Sequence, residues 1–536
     1  MPDQPFIIRK FARRSLCSAL SNDYAKESEI SSRGIVKYLY RYLNDLKCLS
    51  LVVEPDYTDR DFLDDFAEYY VRCYPPYNRH CKRIHFFKTQ ISRKLFLRAI
   101  RAKRGSRDEN YLNRNYLGFV VARPLPQAII GRTVLKTYGR DRGRRNYTCL
   151  KPYDANLFGV KCKKVDSLAF QEQDTVVAAC ATVALWSCFQ KTAELFGTPT
   201  PTPREITNAA NQAIYLGRPI PSHGLLALQM CRAIRQFGFE PELIDVRDKR
   251  YRDVPLISLL YGYLKMGLPV ILGVDIEGHG GHAITLTGFS LRDQLARDRE
   301  IGNGNEPKLQ GATQTRPTIL LMGSHIDRLF GHDDQVGPFA RLDIHSQPGD
   351  NANRWAVYFE SDWKKPKSDS RSRLDPFLAI VPVYHKIRLN FVEVYRWITA
   401  LRPALEYLLS KIEEPSEWDI HLIRSNDLKG LFKVSGLTNA HLLDSLLLRP
   451  HPRFVWRAVL SIHGTKLLEL LFDATGFARS FPLYEAIWHH RGFAWAFRTM
   501  LDNPPLMKRL EGVMSKRIEA GRLWSFLRKT IEKQLG

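Results

Sequence analysis

Cys180, His282 and Asp333 stand in the order, and on the kinds of segment, that a thiol nucleophile needs around it. A thiol attacks as the thiolate, and a helix N-terminus with a nearby imidazole is the usual means of lowering its pKa. In "QEQDTVVAAC" the cysteine opens a helical stripe of Ala181, Ala184, Leu185 and Cys188, so Cys180 meets the positive end of the helix dipole while Cys188 reads as core. The imidazole comes from "EGHGGHAITLTGF", where glycines loosen the backbone and His282, Ile284 and Leu286 share one face of the strand that follows. His279, inside the turn, is the less restrained alternative.

A third group must orient the imidazole, and "LFGHDDQVGPF" offers Asp333 or Asp334. The developing oxyanion needs donors, commonly the cysteine's own N–H and a side-chain amide, for which Gln173 and Gln171 lie just upstream. His332, Asp333 and Asp334, with His325 near them, are also ligand types. Adjacent residues on an extended strand point to opposite faces, so the expectation is a plain turn, with no metal and no cofactor. "DATG", Asp473 to Gly476, reads the same way, as a strand-end turn.

The elements that must carry these residues follow from periodicity. "GIVKYLYRYLNDL" and "DFLDDFAEYYVRCY" fit amphipathic helices, and "LGFVVARPL" and "QAIIGRTVLKTY" fit strands. The cysteine helix is expected to end at Gly197, and "GLLALQMCRAIRQFGF" and "VPLISLLYGYLKMG" to form two more helices around the strand "PELIDV". "LPVILGVDI" and the His282 strand form a pair across the glycine turn. A polar stretch, 291–318, reads as a surface insertion before "TILLMGS", and a second, from Lys364, as a linker before a strand and a helix. "RFVWRAVLSIHGTKLLELLFDAT" is strand-like, and a basic amphipathic helix is expected over 506–535. The alternation of helix and strand indicates an α/β or α+β chain.

These residues resemble the papain-like cysteine peptidases, and most the C39-like branch: a glutamine segment, a cysteine opening a helix, a "GH" opening a strand, and an aspartate after the next strand. The resemblance covers roughly 165–345. It implies Cys180 as nucleophile, His282 as base and acid, Asp333 as orienting group and Gln173 as oxyanion donor. The chain departs from the pattern in three places. Gln173 precedes the cysteine by seven positions rather than six, Ala181 replaces the usual glycine, and "Asp-Asp" replaces "Asp-Pro".

Composition bounds the rest. With 536 residues, 44% of them hydrophobic and 25% charged, the chain can build more than one globular domain. Its nine cysteines lie at or before Cys231, with no metal-ribbon or disulfide spacing, which fits free thiols in a reducing cytoplasm. No run is long and apolar enough for a membrane helix, and charges occupy the start where a signal peptide has its apolar stretch, so no membrane partner is expected. The net charge of +24 is concentrated between Arg79 and Arg145, where nineteen lysines and arginines face three acids, a balance of +16. Such a segment attracts polyanions, and Phe86, Phe87, Tyr111 and Tyr116 within it could stack on bases. Arg101, Lys103, Arg104, Arg144 and Arg145 are the candidate contacts to nucleic acid or an acidic protein.

The expected organisation is a basic helical region over 1–115, a papain-like domain over 116–363 that includes the insertion, and an α-rich region over 376–536. The expected function is hydrolysis of an amide or peptide bond in a peptide or protein substrate; deamidation and transamidation use the same residues. The alternative is an inactive domain of that fold acting as a basic binding or regulatory module.

Overall fold

The computed structural model describes residues 4–74, 76–141, 144–174, 176–177, 179–212, 224–248, 251, 253–292, 319–348, 355–364, 371–410, 415–434, 437, 439–476, 481–512 and 520–535. Three sheets organise them. The first is antiparallel, in the order β1 (Ile7–Lys10), β2 (Ser50–Tyr57), β3 (Cys81–Phe87), β4 (Tyr116–Ala122) and β5 (Ile130–Leu135). Helices Gly34–Asp45, Arg60–Glu68 and Arg93–Arg101 lie between its strands in the chain.

The N-terminal region is therefore not simply helical, as its helix-spaced segments suggested, and its sheet runs across residue 115. The reason lies in β3. "CKRIHFF" shows no clean alternation because Arg83 and His85 are satisfied inside by distant groups. Arg83 pairs with Glu54, and His85 meets Tyr116 Oη at 2.8 Å and Glu54 Oε2 at 3.1 Å. After a short β6 (Arg145–Asn146), β7 (Lys151–Leu157) and β8 (Val160–Ser167) form a hairpin.

The second sheet carries His282 and Asp333. It comprises β9 (Phe239–Asp245), β10 (Val270–Ile276) and β11 (Gly280–Leu291). The chain then leaves it for β12 (Ile319–Leu321) and returns as β13 (Ile326–Asp333), β14 (Gly337–Pro348), β15 (Trp355–Lys364) and β16 (Arg371–Tyr384). Strands β10, β11, β13, β14, β15 and β16 are hydrogen-bonded in that order and β16 pairs back to β10, closing a six-stranded barrel, with β9 added on β16. Residues 293–318 of the expected insertion, and 365–370 of the expected linker, fall outside the described residues. The rest of that linker, from Arg371, is strand β16, so the boundary expected at 376 falls inside the barrel.

The third sheet runs β17 (Ser416–Arg424), β18 (Phe454–Ile462), β19 (Thr465–Asp473) and β20 (Leu483–Trp488), with β12 parallel to β17 at its edge. The C-terminal region is thus mixed rather than α-rich, and of the expected final helix the described parts are Pro504–Gly512 and Ala520–Leu535, with 513–519 between them outside the described residues. The chain is α+β overall. No helix among the described residues is long and apolar enough to cross a membrane.

Candidate active site

The cysteine helix spans Cys180–Phe196 and ends on Gly197 in the left-handed conformation, φ +74°, as its sequence predicts. Its residues are buried from Ala181 to Gln190, so the helix is a core element. Cys180, its first residue, is half-buried. No side chain caps this end, since Ala179 offers none, and the positive end of the helix dipole lies at Cys180. Of the nine cysteines, all free thiols, only Cys180 and Cys73 are not fully buried.

Five hydrogen bonds hold that helix end and the segment leading into it. Asp174 Oδ1 accepts from the N–H groups of Val176 and Val177 at 3.0 and 2.8 Å, and Tyr70 of the N-terminal region donates to its Oδ2 at 3.1 Å. Thr207 donates to the Val177 carbonyl at 2.8 Å. Thr285 on β11 donates to the Ala184 carbonyl at 2.7 Å, which ties the helix to the strand that carries the imidazole.

That strand starts from a tight turn in which Gly278 and Gly280 have φ of +81° and +83°, a region costly for any side chain. His282 then pairs in register with Val274 of β10 and is 8% exposed. Strand β13 lies on the other side of β11, with His332 opposite Thr285, and ends at Asp333. The imidazole Nε2 sits 3.1 Å from Asp333 Oδ1 and 3.6 Å from Asp334 Oδ1, and the Cys180 side chain hydrogen-bonds the same ring. Burial alone would pull His282 down, but Asp333, the Cys180 thiol and Asp334 outweigh it and hold its pKa well above the usual imidazole range.

The aspartates differ. Asp333 Oδ1 also accepts the Gln335 N–H at 3.0 Å, which fixes its rotamer, while Asp333 Oδ2 and both oxygens of Asp334 are buried without a hydrogen-bond partner. Burial pushes the Asp334 carboxyl up to about 7 against the pull of His282, with Asp333 and Glu172 adding to the rise. His332 faces elsewhere: its Nε2 meets the Leu168 carbonyl at 3.0 Å and its Nδ1 accepts the Phe339 N–H at 3.1 Å. Burial brings it down to about 3, so it is a neutral core histidine. His325 pairs with Glu417 on β17, and His279 is exposed in the turn.

The two glutamines also separate. Gln171 is 3% exposed and its amide nitrogen has no hydrogen-bond partner, whereas Gln173 is half-buried. Gln171 is held by its neighbours, since the N–H groups of Phe170 and Glu172 bond to the carbonyls of Thr133 and Ile130.

The basic segment is altered by its partners. Phe86, Phe87 and Tyr116 are fully buried and unavailable for stacking, which leaves Tyr111 exposed. Arg83 and Arg132 are paired with Glu54 and Asp61, acids from outside the segment. Arg101, Lys103 and Arg104 are exposed together at and after the end of one helix. Arg144 and Arg145 lie on a different element beside β11, Arg144 near Asp327 at 3.6 Å and Arg145 over the Tyr138 ring at 5.7 Å.

Compared with known proteins, the chain matches no family model, and no curated protein and no solved structure is significantly similar to it.

Proposed function

We propose that Cys180, His282 and Asp333 form the catalytic apparatus of a cysteine-dependent hydrolase of papain-like plan, acting on an amide or peptide bond. The observation that carries this reading is the chain of contacts from an uncapped helix N-terminus through the thiol and the imidazole to a buried carboxylate. The thiol proton passes to His282, and the thiolate adds to the carbonyl carbon. His282 then returns the proton to the departing amine as the C–N bond breaks, leaving an acyl-thioester on Cys180. Water adds to the thioester with His282 as base, which releases the acid and the free thiol. Asp333 holds the ring and balances its charge. The oxyanion would be met by the Cys180 N–H and by an amide, for which the buried, unpartnered Gln171 is better suited than Gln173. An amine in place of water turns the same sequence into transamidation, and a glutamine side chain as substrate turns it into deamidation.

The free thiols fit a reducing compartment, and a cytoplasmic peptidase acting on peptides or proteins is the form of this reading that we favour. The exposed group Arg101, Lys103 and Arg104 would be the place for an acidic partner or nucleic acid.

Reaction with a small thiol-directed electrophile, mapped by mass spectrometry, tests the proposal. Labelling confined to Cys180 and slowed by about a hundredfold or more in His282→Ala is the expected result. Slow labelling with no preference for Cys180 and no effect of His282→Ala would leave the inactive binding module as the better reading.

A further inference from the structure

Beside the thiol lies a feature that amide hydrolysis does not need. Asp333 alone is enough to orient His282, yet Asp334 brings a second carboxylate to the same ring nitrogen. Leaving buried carboxylate oxygens without donors is costly, and such groups call for an explanation. Three such oxygens belong to these two residues: Asp333 Oδ2 and both oxygens of Asp334.

One ligand atom each from His282, Asp333 and Asp334 lie within 4.8 Å of one another, and all three residues are buried. Around a tetrahedral centre with bonds of about 2.0–2.2 Å, donor atoms stand roughly 3.3–3.6 Å apart. The imidazole nitrogen is 3.1 and 3.6 Å from one oxygen of each aspartate, so small side-chain adjustments would suffice. The pleat explains why both aspartates can reach. Asp333 is the last residue of β13 and Asp334 the first of the turn, so strand alternation no longer separates them. The ring is also held by the Cys180 side chain, as the imidazole of a metal ligand usually is by an outer partner.

We infer that His282, Asp333 and Asp334 form a binding site for a divalent transition-metal ion of the zinc class, and that the ion holds the thiol site in a resting state. One imidazole and two carboxylates suit zinc, manganese or ferrous iron better than calcium, whose ligands are oxygens. Coordination uses the Nε2 lone pair, so the single hydrogen of the neutral ring, held on Nε2 towards Asp333, moves to the ring's other nitrogen. A ring in that state has no lone pair with which to accept the thiol proton or deprotonate water, and removal of the ion restores both. The inhibition rests on the catalytic reading of Cys180 and His282; the ion site does not.

The test uses the full-length protein, stripped with chelator and dialysed, with zinc chloride and cobalt chloride as probes. Calorimetry is expected to show a single zinc ion per chain in the wild type and in Cys180→Ser, and none in Asp334→Asn or Asp333→Asn. Bound cobalt is expected to give ligand-field bands without thiolate charge-transfer absorption, a readout on the wild type that does not depend on any variant folding. Zinc is expected to slow alkylation of Cys180 by about a hundredfold, the size of a lost general base. Absence of binding to the wild type, retention in Asp334→Asn, or a thiolate–cobalt band would overturn the ion site. Stoichiometric binding with Cys180 alkylation equally slow with and without zinc would keep the ion site and defeat the catalytic reading instead.

Discussion

Two of the buried charged clusters among the described residues, one in the barrel and one in the C-terminal sheet, are built on opposite principles. In the sheet, Arg457 forms two bonds to Glu469 at 2.7 and 3.0 Å, and His489 adds a third at 3.0 Å. Asp419 next to them receives Lys265, Tyr261 and His421 at 2.6, 2.9 and 3.0 Å. These carboxylates are surrounded by donors. In the barrel, Asp333 and Asp334 share one imidazole and retain three oxygens without partners. Burial of charge is common to both and so does not mark a site; incomplete satisfaction separates them. The sheet network reads as architecture, tying helix Leu256–Leu264 and its following Lys265 to β17, whereas the barrel cluster is the one on which the proposed chemistry rests.

Substitutions should pull the two clusters in opposite directions. Glu469→Ala leaves Arg457 buried without its partner and should cost about 3–5 kcal/mol, measured by denaturant unfolding. Next in size is acid sensitivity. Burial would raise Glu469, but Arg457 and His489 hold it down at about 2, so its stabilising contribution is complete above its ordinary value and is lost as pH falls from about 4.5 towards 2. Burial, with Lys265 adding to it, brings His421 down to about 4, so its neutral form belongs to the fold and stability falls between about 6.5 and 4. Hydrogen exchange followed by segment should therefore show β17 to β19 losing protection on acidification; protection that rises instead would break the contrast.

A smaller effect of opposite sign is expected from Asp334→Asn in metal-free protein, where losing a buried unpartnered carboxyl should raise stability by about 1 kcal/mol. A loss comparable with that of Glu469→Ala would show the two clusters to be alike. Smallest of all, Arg101→Ala with Arg104→Ala should move stability by no more than about 0.5 kcal/mol in thermal melts, while weakening any polyanion binding and flattening its salt dependence.

How far the sequence reveals this arrangement depends on the range of the interactions involved. The cysteine helix was legible because its start, its apolar stripe and Gly197 all lie within one window. The His282 strand was legible for the same reason, through its glycine turn and alternation. Strands β2 and β3 were not, because the partners that make Arg83 and His85 acceptable inside a sheet, Glu54 and Tyr116, come from other strands. The stacking aromatics failed similarly: nothing local shows that Phe86 and Phe87 face a core. Neither did local reading separate Gln171 from Gln173, since that depends on how Phe170 and Glu172 pair with β5 and its neighbours. The grouping of Asp333 and Asp334 around His282 was not legible either, because strand alternation was extended one residue too far, past the point where β13 becomes a turn.

The path from His282 to Asp333 has its own implication. Between β11 and β13 the chain visits the C-terminal sheet, contributes β12 beside β17 and returns. The backbone joining the imidazole to its carboxylate is thus sewn through a neighbouring sheet, like a stitch through two layers of cloth. A pull that parts the barrel from that sheet therefore loads β13 through Met322–His325, at the end of the strand opposite Asp333.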